Sequence, residues 1–123
     1  MNDFSYYNIN PEKTEEQDCV CRAISLAVNS DYRAVEKLLE IVAYYYGCEK
    51  LCLCCYHHLL EDVFNFPVRY CENGETVGEI AKRLNHNIVL IRIDGHLSCS
   101  LYGIIYDIWD CSPKSVDCYW IVS

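Results

Sequence analysis

Four stretches of the chain repeat their apolar side chains at helical spacing. Val20, Ala23, Ile24, Ala27 and Val28 form one stripe, preceded by Asp18, a residue type that favours an N-cap. Asn29-Ser30-Asp31 breaks that pattern and opens the next. There Tyr32, Val35, Leu38, Leu39, Val42, Ala43 and Tyr46 share a face, and Gly47 supplies a C-terminal stop. A third, shorter helix is expected from Tyr56 to Phe64. It ends ahead of Pro67, because the residue before a proline is pushed out of helical geometry. The fourth opens on Thr76-Val77-Gly78-Glu79, a capping box, and buries Val77, Ile80, Ala81 and Leu84.

The last third of the chain changes period. Ile88 to Ile93 is a β-rich run, and Asp94-Gly95 after it is a strong hairpin signal. His96 to Leu101 is the expected return strand. Tyr102-Gly103 marks a second tight turn, Ile104 to Trp109 a third strand, and Cys118 to Val122 a last one beyond the Ser112-Pro113-Lys114-Ser115 loop. Helices first and a strand meander last give a single α+β domain over residues 1–123, with helices packed on an antiparallel sheet. Residues 1–18 are polar, carry Pro11 and an acid-rich run, and are expected to form a surface arm leading into the first helix.

Composition narrows the function classes. The longest apolar runs fall well short of the roughly 20 residues of a membrane span, and the polar start of the chain is unlike a signal peptide. Acidic residues outnumber basic ones, 18 to 10, for a net charge of -8. A phosphate backbone would be repelled, so direct nucleic-acid binding is not expected, whereas a basic protein would be attracted. Ten cysteines without an export signal point to a reducing cytoplasm and free thiols. Such thiols serve as small core residues, as a nucleophile, or as metal ligands.

One polar set fits the nucleophile role. Cys19 falls in the first turn of helix 1, where free N–H groups and the helix dipole favour a thiolate. His96 begins the second strand of the meander. With a two-residue turn at Tyr102-Gly103, His96 lies opposite Trp109, so Asp107 shares its face as a diagonal neighbour. Asp110 has the opposite parity, and a one-residue change in the turn would exchange the two acids. A base held by a carboxylate and facing a helix-terminal thiol is what nucleophilic cysteine chemistry requires.

At these residues the chain resembles small papain-like cysteine-peptidase domains of phages and mobile elements. The resemblance rests on Asp18-Cys19-Val20-Cys21-Arg22-Ala23-Ile24, Gly95-His96-Leu97-Ser98, Tyr106-Asp107-Ile108-Trp109-Asp110 and Tyr119-Trp120. It implies a papain-like fold, with Cys19 as nucleophile, His96 as base and Asp107 orienting the histidine. The upstream glutamine of that pattern has no counterpart. Lys13 stands six residues before Cys19, and the nearby Gln17 is too close.

A second cluster has metal-ligand chemistry. Cys48, Cys52, Cys54, Cys55, His57 and His58 crowd together after helix 2. Thiolates and imidazoles suit tetrahedral zinc, and Cys48, Cys52, Cys55 and His58 are the expected structural set. Cys54 with His57 is the competing pair, and Cys71 an alternative distant ligand; an apolar cysteine-rich patch explains the same residues.

Two functions follow as expectations. Size and charge are similar to those of phage counter-defence proteins, including anti-CRISPR inhibitors. That likeness implies an acidic cytoplasmic inhibitor that docks a basic host protein of the nucleic-acid-handling kind. The alternative is a cysteine peptidase or thiol acyl-transferase using Cys19, His96 and Asp107.

Overall fold

The computed structural model describes residues 3–13 and 18–123. Gln17 and the acids Glu15 and Glu16 lie outside the described residues. Helices α1 (Cys19–Ala27), α2 (Tyr32–Tyr46), α3 (Leu53–His58) and α4 (Val77–Arg83) accompany strands β1 (Phe4–Tyr6), β2 (Val68–Tyr70), β3 (Ile88–Ile93), β4 (His96–Leu101), β5 (Ile104–Asp107) and β6 (Cys118–Ile121). The molecule is therefore α+β. No helix among the described residues is long and apolar enough to cross a membrane.

Local chemistry explains most of the helix ends. The Asp31 side chain accepts from the Ala34 N–H and starts α2, and Gly47 ends it at φ +70°. At α4 both hydrogen bonds of the Thr76/Glu79 capping box are present. The third helix begins earlier than its apolar pattern suggests, at Leu53. It ends in one π-helical turn, Leu59–Val63, closed by the Phe64 N–H on the Leu59 carbonyl at 3.0 Å.

The sheet corrects four expectations. Its order is β1-β5-β4-β3-β6-β2, and β1 runs parallel to β5. It is thus mixed rather than antiparallel throughout, and residues expected as a surface arm supply an edge strand. The meander holds only for β3-β4-β5. The last strand crosses back and pairs with β3, placing Leu90 beside Trp120. β5 also stops at Asp107, short of Trp109. There the Ile108 N–H turns onto the Asp107 side chain at 2.7 Å, and Asp110 accepts from Ser112, so the chain leaves the ladder.

The apolar run of β3 is continuous because both of its faces are covered. Leu90 joins Ile24, Leu39, Leu59, Leu97 and Trp120 in one buried cluster with α1, α2 and α3. Val89, Ile91 and Ile93 join Val77, Ile80 and Ile105 in another, against α4. Gly103 turns the β4-β5 hairpin at φ +89°, and a Cβ there would meet the Asn85 Cβ at 2.9 Å. Gly103→Ala is therefore expected to destabilise the fold by about 1–3 kcal/mol, combining left-handed strain with the clash. A shift of the urea midpoint at unchanged slope reads this, and an unmoved midpoint would refute it.

Candidate active site

The structure brings Cys19, His96 and Asp107 together. The His96 Nε2–H donates to Asp107 Oδ2 at 2.7 Å, and Ser98 Oγ donates to the same oxygen at 2.6 Å. The Ile108 N–H meets the other oxygen, Oδ1. Asp107 is buried, as its load of donors requires. The Cys19 thiol sits beside His96 and the Leu97 backbone, lining the same cavities, and both neighbours favour its thiolate.

The Leu97 contact follows from the register. Leu101 and Ile104 flank the two-residue turn, so odd-numbered residues of β4 aim their N–H groups toward β5. The β5 ladder reaches only Tyr106 opposite Cys99, which leaves the Leu97 N–H without a strand partner and open to the sulfur. Asp110, the alternative acid, instead accepts from the Ser112 backbone and hydroxyl.

Electrostatics separates Cys19 from its neighbours. Burial works against its thiolate, but the His96 hydrogen bond, the Leu97 N–H and the charges of His96 and Arg22 outweigh it, and the thiol is held below its ordinary value. Burial would likewise depress His96. Hydrogen bonds to Asp107, Cys111 and Cys19 prevail and push the imidazole up to about 11. The two shifts together favour a thiolate–imidazolium pair. Cys21, two residues on, is pushed up to about 11 by burial, and its thiol donates to the Tyr32 carbonyl at 3.4 Å. Cys48, Cys55, Cys71, Cys99 and Cys118 are also raised, mainly by burial.

Two cavities flank the sulfur. One of about 390 Å³ runs over Val20, Leu51, Ile108 and Trp109, and the other, of about 220 Å³, over Leu51, Leu53, Tyr56 and Leu97. Trp109 leans on His96 with ring centroids 5.0 Å apart, so it shields the imidazole on one side.

Of the expected zinc residues, Cys48 and Cys55 are neighbours, while Cys52 and His58 have other partners or positions. The Cys48 thiol lies beside those of Cys54 and Cys55, and Cys55 donates to the Leu39 carbonyl at 3.4 Å. His58 stacks on Tyr46 at 3.7 Å and its Nδ1 lies 2.6 Å from Asp62, while His57 Nδ1 lies 2.5 Å from Glu61. Cys52 holds the N-cap position of α3. Among the described residues, the donor set close enough for one metal ion is His96, Asp107 and Cys111, whose ligand atoms lie within 4.8 Å of one another.

Sequence reasoning missed Arg22, Ser98, Cys111 and the Leu97 N–H. Arg22 carried a signal: it stands four residues after Asp18, inside an otherwise apolar helix. Ser98 shares parity with His96 and could have been found the same way. No known protein family matches the chain, and no curated protein or solved structure does either.

Proposed function

We propose that the protein is a cysteine-dependent hydrolase or acyl transferase of papain-like design. The observation that carries this reading is the half-buried Cys19 beside His96, whose ring is hydrogen-bonded to the buried Asp107. The Cys19 thiolate attacks a substrate carbonyl and forms a tetrahedral adduct. His96 gives its proton to the departing amine or alcohol, leaving an acyl-thioester on Cys19. Water or an acceptor amine then attacks, with His96 taking its proton, and the thiolate returns. Asp107 holds the ring in orientation and balances the imidazolium. The Asp18 side chain makes no capping hydrogen bond to α1, and the first-turn N–H groups are the proposed donors to a developing oxyanion. They would stand in for the missing upstream glutamine. A binder of a basic partner, the reading that charge favours, has no use for such a chain. The deciding experiment is competitive labelling of the ten thiols with iodoacetamide at neutral pH, read by mass spectrometry. Cys19 should react first, and equal labelling of Cys19, Cys52 and Cys54 would reject the proposal.

The proximity of His96, Asp107 and Cys111 supports a second occupancy of the same residues, by zinc. Imidazole, carboxylate and thiolate are zinc's ordinary donors, and an ion there would take the ring nitrogen that faces Asp107. Stoichiometric Zn²⁺ is then expected to slow Cys19 alkylation, and a chelator to restore it. Cys111→Ser should abolish the zinc effect, whereas Cys48→Ser should not. A zinc effect that survives Cys111→Ser would place the ion elsewhere.

A further inference from the structure

Arg22 is buried, at 5% exposure, in the middle of an apolar helix. An arginine without counter-charges is not tolerated there. Its guanidinium forms an ion pair with Asp18 one turn earlier, and its other terminal nitrogen lies 3.8 Å from Asp107 Oδ1. Asp18 is itself pinned from the far side, by the Tyr32 hydroxyl at 2.7 Å and the Asn10 amide at 2.9 Å. The Arg22 N–H also bonds the Asp18 carbonyl at 3.0 Å. The backbone of Asp107 is held separately, because the Tyr7 N–H donates to its carbonyl at 3.0 Å where β1 runs beside β5.

We infer that Arg22 is a positioning residue of the Cys19 site, bridging Asp18 to Asp107 and thereby fixing the carboxylate that orients His96. The inference rests on the thiol reading proposed above. Signs alternate along the chain of groups: Asp18, Arg22, Asp107, His96, Cys19. Arg22 faces Oδ1, while His96 and Ser98 both use Oδ2, so the guanidinium supplies charge without displacing the imidazole. Take it away and the buried Asp18 and Asp107 carboxylates lose the positive charge set between them. The Asp107 side chain then keeps Ser98 and the Ile108 N–H but loses the cation that helps hold it toward His96.

The test uses the full chain with Arg22→Gln, Asp107→Asn, the double variant and His96→Ala. Two readouts apply at pH 7: the iodoacetamide rate at Cys19, and the low-field proton NMR signal of the His96 ring N–H bonded to Asp107. Arg22→Gln should slow alkylation about threefold or more and shift or erase the low-field signal, since misplacing a catalytic geometry is costly in rate. Adding it to Asp107→Asn should cost less than twofold more, because both act through one carboxylate. A purely structural role would make the two losses multiply. Should Arg22→Gln not fold, Asp18→Asn asks the same question by releasing the guanidinium from its anchor. A wild-type rate with the low-field signal in place, or multiplying losses, overturns the inference. If His96→Ala also keeps the wild-type rate, the thiol reading fails, while the NMR signal still decides the bridge.

Discussion

His96→Ala is expected to lower turnover of a chromogenic ester by about 10²–10⁴-fold, the usual contribution of a positioned acid–base group. Its effect on simple alkylation should be smaller, and the reason is quantitative. An ordinary thiol, with a pKa of about 8.5, is about 3% ionised at pH 7, so ionisation alone offers roughly a 30-fold gain. A thiolate of lowered pKa is also intrinsically less nucleophilic, which returns part of that gain. About tenfold is therefore expected for alkylation. The pH profile carries the sign. In the wild type the alkylation midpoint should lie below that of a free thiol, because His96, Leu97 and Arg22 favour the thiolate. In His96→Ala it should move up.

The same shifts set the pH dependence of stability. Cys19 has a depressed folded pKa, so its contribution is present above the unfolded thiol value and is lost as pH falls through the folded one. His96 is raised to about 11, so its contribution is whole below the unfolded imidazole value and is lost as pH climbs toward 11. An identical alkylation midpoint in wild type and His96→Ala would remove the ion pair from the account.

What could be read from the residues divides by range. Helices α1, α2 and α4 announce themselves through apolar spacing and caps, because those interactions lie within one or two turns. The β3-β4-β5 meander is equally local: Gly95 and Gly103 fix the turns, and parity then puts Asp107, not Asp110, beside His96. β1 and β2 are three residues each, too short for a period, and their pairing is decided by distant strands. The insertion of β6 beside β3 is also non-local, set by Asp117 donating to the Arg92 carbonyl and by Trp120 reaching the core. At the site, the three chemical groups were legible because helix ends and strand parity are local rules. Arg22 and the Leu97 N–H act only once α1 packs against β4, and Cys111 only once the loop after β5 brings it to His96 and Asp107. The metal expectation comes from spacing, which does not show what else each side chain meets. His58 has a nearer partner in Asp62, one helical turn along, and Tyr46 covers its ring.

Trp120→Ala is expected to cost about 3–5 kcal/mol, the range for emptying a fully buried aromatic site. Trp120 is 1% exposed. It sits in β6 between Leu90 of β3 and Val68 of β2, so its loss opens a void in the core between the sheet and helices α1 to α3. Its ring meets Tyr56 edge-on at 5.8 Å, and its indole N–H donates to Glu61 at 3.0 Å, tying the π-helical turn to the sheet. A domain of this size is stable by about 5–15 kcal/mol, so the variant should approach the unfolding threshold. Trp120→Phe separates the two contributions. It keeps most of the volume and gives up the hydrogen bond, for about 1–2 kcal/mol. Tyr56 also receives the Arg92 Nε–H at 3.1 Å and lines the smaller cavity beside Cys19. Loosening Trp120 should therefore speed hydrogen exchange in α3 and β6 before it touches α4, which belongs to the opposite cluster. Equal urea midpoints for Trp120→Ala and Trp120→Phe would show that the indole N–H, rather than packing, is what holds this region to the sheet.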